Sequence, residues 1–470
     1  MKNNFKLKTN FFILLVMLSL QGNSQNSLQL SYDAFLVNVL QNNPLAKRAE
    51  NEKMHADIQY KAARGNYDPI VSGSYDQKQF NGSNYYTTLN SEVKQPVFTS
   101  QYFKFGYDYG NGNYINPEYN TNPNGLPYIG VELGVLQGLL IDKRRAEVLK
   151  SKEYLNYYDA EKRIQLNTLL FEASQRYFEW LFSLKQMSLN NYFMQVANQR
   201  LLGIEALATI GEKAAVDTVE AAIFYQTRLL DFQSALIDNQ KTINEVSSFN
   251  WQNNKPSVLN EKYTAIDSLD LYFNKAKVWL TESLYLNVPS NPILSKYNSF
   301  QKVLEIDNRL KKEMIKPILN IKYNFLSNNA TSLNPNFSNN NYKFGVNLSF
   351  PLFLRNSSNE YKLSKINSQN NNLELINKTN ELNFKINALK KTIGILVEQL
   401  QNAERTTRYS KLLVEAEKLK FSNGESTLFM LNTRENKWLE FEIKLAEYKL
   451  KFIKTALNLI YLNGDLNYKF

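Results

Sequence analysis

Pro317-Ile318-Leu319-Asn320-Ile321-Lys322-Tyr323-Asn324-Phe325 decides the fold, together with the return Phe344-Gly345-Val346-Asn347-Leu348-Ser349-Phe350-Pro351. In the first run Leu319, Ile321, Tyr323 and Phe325 point one way and Asn320, Lys322 and Asn324 the other, which is the period of a strand with one apolar face. The return alternates likewise, with Phe344, Val346, Leu348 and Phe350 opposed to Gly345, Asn347 and Ser349. A polar, Asn-rich connection joins them. Each run has the roughly 9 to 11 residues with which a tilted strand crosses a bilayer, so the pair reads as a membrane-spanning hairpin.

The pattern occurs twice. Asn43-Pro44-Leu45 opens a helical run ending at Pro69, and Asn291-Pro292-Ile293 opens another ending at Pro317; both prolines are displaced by 248 (292 minus 44, 317 minus 69). At that offset Val71 matches Leu319 and Tyr75 matches Tyr323. The return strands correspond at offset 215, where Ile129, Val131, Leu133 and Val135 fall on Phe344, Val346, Leu348 and Phe350. The first hairpin is therefore longer by 33 residues (248 minus 215). Residues 25–250 and 290–470 read as two copies of one helix, hairpin, helix unit, joined by a connector over 251–289 with a short helix near Leu269 to Thr281. The extra residues lie in 81–127, rich in Asn, Gly, Pro and Tyr, where the run Tyr102 to Tyr107 can add strand pairing outside the repeat. Gly110-Asn111-Gly112 there reads as a turn, because no third glycine and no helix follow to make a phosphate loop.

At 470 residues and 43% apolar content the chain can bury a large core. A mean hydropathy of -0.43 argues against a polytopic helical membrane protein. Lys2, Lys6 and Lys8 precede the apolar run Phe11 to Leu20, and Gly22 and Ser24 suit a cleavage site, so residues 1–24 read as a secretory signal peptide; a ten-residue apolar run cannot span a bilayer as a helix. Removing those three lysines takes the formal charge from +11 to +8. The remaining lysines alternate with Asn and Glu along long helices, the pattern of a solvated surface and not of a nucleic-acid site. With no cysteine, the chain has no disulfide framework, no thiolate chemistry and no lipid anchor on cysteine.

Gly65-Asn66 closes the helical run that begins at Pro44, with residues that readily accept a left-handed conformation. After Gly138 to Arg145 nearly seventy residues run without proline to Gly211, enough for a helix on the order of 100 Å. Gly211-Glu212 breaks it. Ala222, Leu229, Leu236 and Ile243 on the returning helix are seven apart, as are Leu431, Trp438, Leu445, Phe452 and Leu459 after the break at Gly424-Glu425. Each repeat thus ends in a long helical hairpin with coiled-coil spacing.

These features resemble the TolC family of outer-membrane efflux proteins over essentially the whole mature chain. The carriers are the Asn-Pro-Leu and Asn-Pro-Ile starts, the two alternating hairpins, the stretch Gly138 to Arg145, and the breaks Ile210-Gly211-Glu212 and Asn423-Gly424-Glu425. The resemblance implies an α+β outer-membrane protein with a periplasmic tunnel of helices. Four strands cannot close a barrel, and open edges are not tolerated in lipid, so the chain must oligomerise. The residues alone leave two and three copies open; the resemblance implies a homotrimer with a 12-stranded barrel, four strands from each chain. The alternation assigns the lipid face to Val71, Tyr75, Val131, Leu133, Leu319, Ile321, Tyr323, Phe325, Val346 and Leu348.

The resemblance also implies an exit duct that docks with a periplasmic adaptor and an inner-membrane pump, in tripartite efflux or type I secretion. Ile210, Gly211, Glu212, Asn423, Gly424 and Glu425 would then form the adaptor-contact tips, and Glu415, nine residues before Gly424, would line a constriction. Its counterpart nine before Gly211 is Leu202. A Glu415 paired with Lys411 or Lys418 on its own helix is the plainer reading. Enzymatic chemistry finds no support: His55 is the one histidine, no GxxxxGK[ST], HExxH or GxSxG occurs, and neither a cofactor nor a metal is expected. The competing reading is a coiled-coil structural or adhesion protein anchored by its hairpins. The alternating strands favour the duct, because a polar inner face serves only where water passes.

Overall fold

The computed structural model describes residues 28–259, 263–283, 291–327, 336–464 and 466, so the expected signal peptide lies outside the described residues. The elements run β1 (Leu28–Leu30), α1 (Tyr32–Asn42), α2 (Pro44–Arg64), β2 (Ile70–Phe80), β3 (Ser83–Pro96), β4 (Gln101–Asn111), β5 (Leu126–Gly134), α3 (Lys143–Thr209), α4 (Ala215–Ser247), β6 (Trp251–Gln252), β7 (Lys255–Pro256), β8 (Tyr263–Ala265), α5 (Leu269–Ser283), α6 (Pro292–Glu313), β9 (Ile318–Ser327), β10 (Phe337–Ser349), α7 (Arg355–Ser422) and α8 (Leu428–Asn463). Two compact units result, and each draws on both halves of the chain. A sheet unit takes residues 49–163 and 289–381; a helical unit takes the described parts of 1–48, 164–288 and 382–470.

Both Asn-Pro starts are helix caps of one kind. Asn43 Oδ1 accepts the Leu45 N–H at 2.9 Å and Asn291 Oδ1 accepts the Ile293 N–H at 2.8 Å, while the proline between supplies a position where no N–H is needed. The end of α2 differs from expectation. Neither Gly65 nor Asn66 is left-handed; the chain tightens into a 3₁₀ turn at Gly65–Tyr67 instead, closed by the Asp68 N–H on the Gly65 carbonyl.

In the sheet unit one antiparallel sheet has the order β10-β9-β5-β4-β3-β2. The expected β9–β10 hairpin is formed, with Leu319 opposite Leu348, Ile321 opposite Val346 and Tyr323 opposite Phe344. The first expected hairpin is not. β2 pairs with β3 alone, and the return strand β5 lies between β4 and β9. The expectation of four strands is therefore corrected to six. Residues 81–127, read for their turn-forming composition, hold two strands, because Phe103, Phe105, Tyr107 and Tyr109 alternate with Lys104, Gly106, Asp108 and Gly110. Gly110 and Asn111, expected in a turn, are the last residues of β4.

The helical unit is built around an aromatic core of Tyr32, Phe35, Tyr177, Phe178, Trp180, Tyr272 and Phe452, all at most 2% exposed. Asp267, in the connector, holds it together: its Oδ2 accepts the Tyr32 N–H at 2.8 Å, the Tyr177 hydroxyl at 3.0 Å and the Tyr272 hydroxyl at 3.3 Å. Burial, reinforced by that carboxylate, pushes the Tyr177 hydroxyl far above the usual phenol range, so it remains a donor. β1 pairs in parallel with β8, and α5 packs on α8, with the Phe273 and Phe452 rings 5.3 Å apart.

The two heptads behave differently. On α8 the expected seam is buried at Leu431, Phe452 and Leu459. On α4 the buried positions are Ala221, Arg228 and Ala235, one residue before the expected Ala222, Leu229 and Leu236; only Ile243 of that series is buried. Small side chains and one arginine face the core there, which leaves the larger apolar residues of α4 turned outward.

Candidate functional site

The register makes the sheet two-faced. The row Val71–Val93–Phe105–Ile129–Phe325–Tyr342 crosses all six strands on one face, and every residue in it is apolar or aromatic. The rows beside it include Phe103–Val131–Tyr323–Phe344 and Leu133–Ile321–Val346. All ten residues expected to share a face do so. Val71 is 76% exposed and Leu348 65%, so much of this surface is uncovered among the described residues.

The opposite face is charged. Lys104 Nζ lies 3.0 Å from Glu132 and 3.4 Å from Glu92, and Lys94 Nζ lies 3.1 Å from Glu132. Tyr128 on β5 reaches over β4 to donate to Glu92 on β3 at 2.8 Å, and it passes where a side chain at position 106 would stand: a Cβ there would be 2.2 Å from the Tyr128 ring. Gly106 is thus required by the crossing. None of these charged partners was singled out in the sequence, although Lys104 and Glu132 do sit at the polar positions of alternating strands.

At the sheet's helical side, Asp142 caps α3 by accepting the Arg145 N–H at 2.9 Å. Arg145 then donates to the carbonyls of Gly138, Leu139 and Leu140, and Arg144 stacks on Tyr102 with 4.3 Å from the guanidinium to the ring. The stretch Gly138 to Arg145 is a self-capped turn that fixes how α3 leaves β5.

The two helix breaks share one geometry. Gly211 has φ 82° and Gly424 φ 79°, in the region only glycine enters without strain. Gly211 N–H bonds the Ala208 carbonyl and Glu212 N–H the Leu207 carbonyl; Gly424 and Glu425 repeat both bonds to Phe421 and Lys420. Each is a Schellman cap. Ile204, Ala221 and Leu428 form a small core with Leu201 and Phe421, so the two tips pack together. Ile210, Gly211, Glu212, Asn423, Gly424 and Glu425 are all exposed. Glu415 is exposed as well, and neither Lys411 nor Lys418 pairs with it among the described residues; Lys418 Nζ lies 3.5 Å from Glu435 instead. Leu202, its counterpart, is 58% exposed.

A buried charge network near the tips escaped the sequence reading. Arg200 on α3 donates to Glu435 on α8 at 2.6 Å and to Asn432 at 2.9 Å, and Glu435 is 1% exposed. Arg228 on α4 is buried beside them and donates to Asp231 at 2.9 Å; burial pushes it below the usual guanidinium range, with Asp231 and Glu435 offsetting part of that. Glu417 accepts from Ser426. The available signal was positional: Arg200 lies 11 residues before Gly211 and Glu435 11 after Gly424. Among the described residues no group of three His, Cys, Asp or Glu could hold a metal ion, and no helix is long and apolar enough to cross a membrane. His55, exposed on α2, lies beside the Tyr158 ring, 6.1 Å between centroids.

A two-faced antiparallel sheet combined with two long, Schellman-capped helical hairpins is the fold of the TolC-type outer-membrane channels. The CmeC outer membrane channel of Campylobacter jejuni is similar at 14% identity and TM-score 0.61, over 92% of this chain and 85% of that one. The outer membrane protein VceC of Vibrio cholerae gives 11% and 0.64, over 92% and 95%. The open state of the MtrE outer membrane channel of Neisseria gonorrhoeae gives 13% and 0.62, over 94% and 93%. At these identities the likeness is one of fold. No protein-family model matches the chain, and no curated protein matches it.

The Arg200–Glu435 pair yields a first prediction. Glu435→Ala leaves a buried guanidinium uncompensated and is expected to destabilise the protein by about 3–5 kcal/mol, whereas Arg200→Met with Glu435→Leu recovers most of that. Chemical unfolding of the two single variants and the double variant gives the coupling; additive losses would show that the pair is not coupled.

Proposed function

We propose that this chain is the outer-membrane exit duct of a tripartite efflux or type I secretion system, passing small molecules or proteins from a periplasmic adaptor and inner-membrane pump to the outside. The observation that carries the reading is the sheet, apolar on one face and lined with paired charges on the other. A structural or adhesive anchor has no use for the second face. The duct acts by enclosing a path, without enzymatic chemistry, cofactor or metal. Its localisation is the outer membrane, with the helices in the periplasm, and residues 1–24 direct it there.

On this reading the chain works as a homotrimer, and residues 25–250 and 290–470 are two copies of one unit flanking the connector 251–289. Support for assembly comes from α4, where Val216, Ile223, Leu230 and Ile237 form a heptad stripe 63–71% exposed. Such a seam requires a partner helix, which a second copy of this chain supplies.

Three expectations test the reading. Ile321→Arg, on the apolar face near mid-strand, should destabilise the membrane-inserted protein by about 2–4 kcal/mol, while Asn320→Arg on the other face is much milder; equal effects in bilayer refolding would reject the facing. Charge reversal at Glu212 and Glu425 should leave the trimer intact and abolish adaptor pull-down, and normal pull-down would remove the tips from the docking surface. Three copies of Glu415 brought together would attract cations. Single-channel conductance in planar bilayers should therefore show multivalent-cation block that Glu415→Ala relieves. Unchanged block would place the constriction elsewhere, and no conductance at all would reject the duct.

A further inference from the structure

The two outermost strands of the sheet are unpaired on their outer sides among the described residues: β2 bonds only β3, and β10 only β9. In hydrocarbon such edges are not tolerated. We propose that the sheet closes head to tail with copies of itself, β10 of one chain pairing with β2 of the next, so that three chains build one barrel of eighteen strands. The number three rests on the trimer proposed above; the joint and the six strands per chain rest on the sheet.

Strand direction permits this joint. All five existing pairings are antiparallel, and six is an even number, so β2 and β10 run in opposite directions and their joint is antiparallel like the rest. The added strands cannot be set aside as an appendage, because β3 and β4 lie inside the sheet between β2 and β5. Removing them would leave β2 without its partner and β5 with β9 alone.

The stagger fits as well. The row that starts at Ile70 passes through Lys94, Lys104, Gly130 and Asn324 to Lys343, six residues short of Ser349 at the end of β10. Ile70 follows α2 and Ser349 precedes α7, so both mark the helical side of the sheet. Bringing these two ends level sets Ser349 beside Ile70 and Asn347 beside Ser72. The strands then shift by six residues over six strands. One residue of rise per strand spacing is a tilt of about 35° (3.3 Å against 4.8 Å), within the range of membrane barrels. Joints of this kind are heterologous, and they close into a ring when the rotation between successive copies is a whole fraction of a turn, as it is for three. Because barrel diameter grows roughly linearly with strand number, eighteen strands give a mouth about one and a half times as wide as twelve.

The test uses the absence of native cysteine. Ser72→Cys is combined with Asn347→Cys, both on the polar face, and in a second chain with Ser349→Cys in case the register slips by one pair; copy number is measured by native mass spectrometry. Oxidation should link one of these combinations into covalent dimers and trimers on denaturing gels, reversed by reductant, while Ser72→Cys alone stays unlinked. A trimer that links in neither combination overturns the edge joint and leaves the duct reading standing. A different copy number overturns the eighteen-stranded barrel through the trimer, whether or not the strands link.

Discussion

A strand in hydrocarbon has no water to pair its N–H and C=O groups, and on the reading proposed here that constraint governs the sheet. It explains why six strands of 9 to 14 residues are all antiparallel neighbours in one surface, and why the period of two is kept through each joint except at the shifts at Lys78/Gln79 and Phe337/Tyr342. A slip of one residue in the pairing of β4 or β5 would turn Lys104 or Glu132 to the face that carries Phe105 and Val131. The ion pairs of Lys104 with Glu92 and Glu132 therefore serve register as well as solubility.

In the helical unit the equivalent constraint is the satisfaction of buried polar groups. Asp267 is acceptable inside the aromatic core because three donors converge on it. The Arg200–Glu435 pair is held less completely, since Glu435 Oε2 and Arg228 Nε lack hydrogen-bond partners among the described residues. A core position with unspent polar capacity sits next to two tips whose glycine caps are otherwise alike. The two hairpins also differ in what they bury: α8 spends its apolar seam inside the chain, whereas α4 turns Val216, Ile223, Leu230 and Ile237 outward.

What was legible in the sequence was local. The strands β2, β5, β9 and β10 each carry an apolar row at alternate positions over part of their length, and the caps at Asn43, Asn291, Gly211 and Gly424 are written in one or two residues each. β3 and β4 were less legible because β3 carries Tyr85, Tyr86, Thr87 and Thr88 in a run without clear alternation, inside a segment full of turn formers. The pairing of β5 with β9 joins residues nearly two hundred apart and leaves no local mark. The α4 seam was misplaced by one residue because the frame 222, 229 and 236 is the apolar one, whereas the buried frame is two alanines and Arg228, whose burial is partly offset by its acidic neighbours Asp231 and Glu435 and has no apolar signature. Arg200 and Glu435 stand 235 positions apart, so only the fold brings them together.

The two places where charge meets the proposed path are unlike. On the sheet, the charges of β3, β4 and β5 neutralise one another at 3.0–3.4 Å, and Tyr128 occupies a further acceptor. Paired charges of both signs make a wettable surface with little net field, which suits a wide mouth that need not discriminate. Glu415 is exposed and has no ion-pair partner among the described residues, on a helix whose nearby Lys418 is drawn away to Glu435. The buried network thus leaves Glu415 without its nearest neutralising partner, and a ring of three such carboxylates would concentrate field where the sheet disperses it. On the duct reading proposed above, selection would belong to the helical end and the sheet would supply only passage.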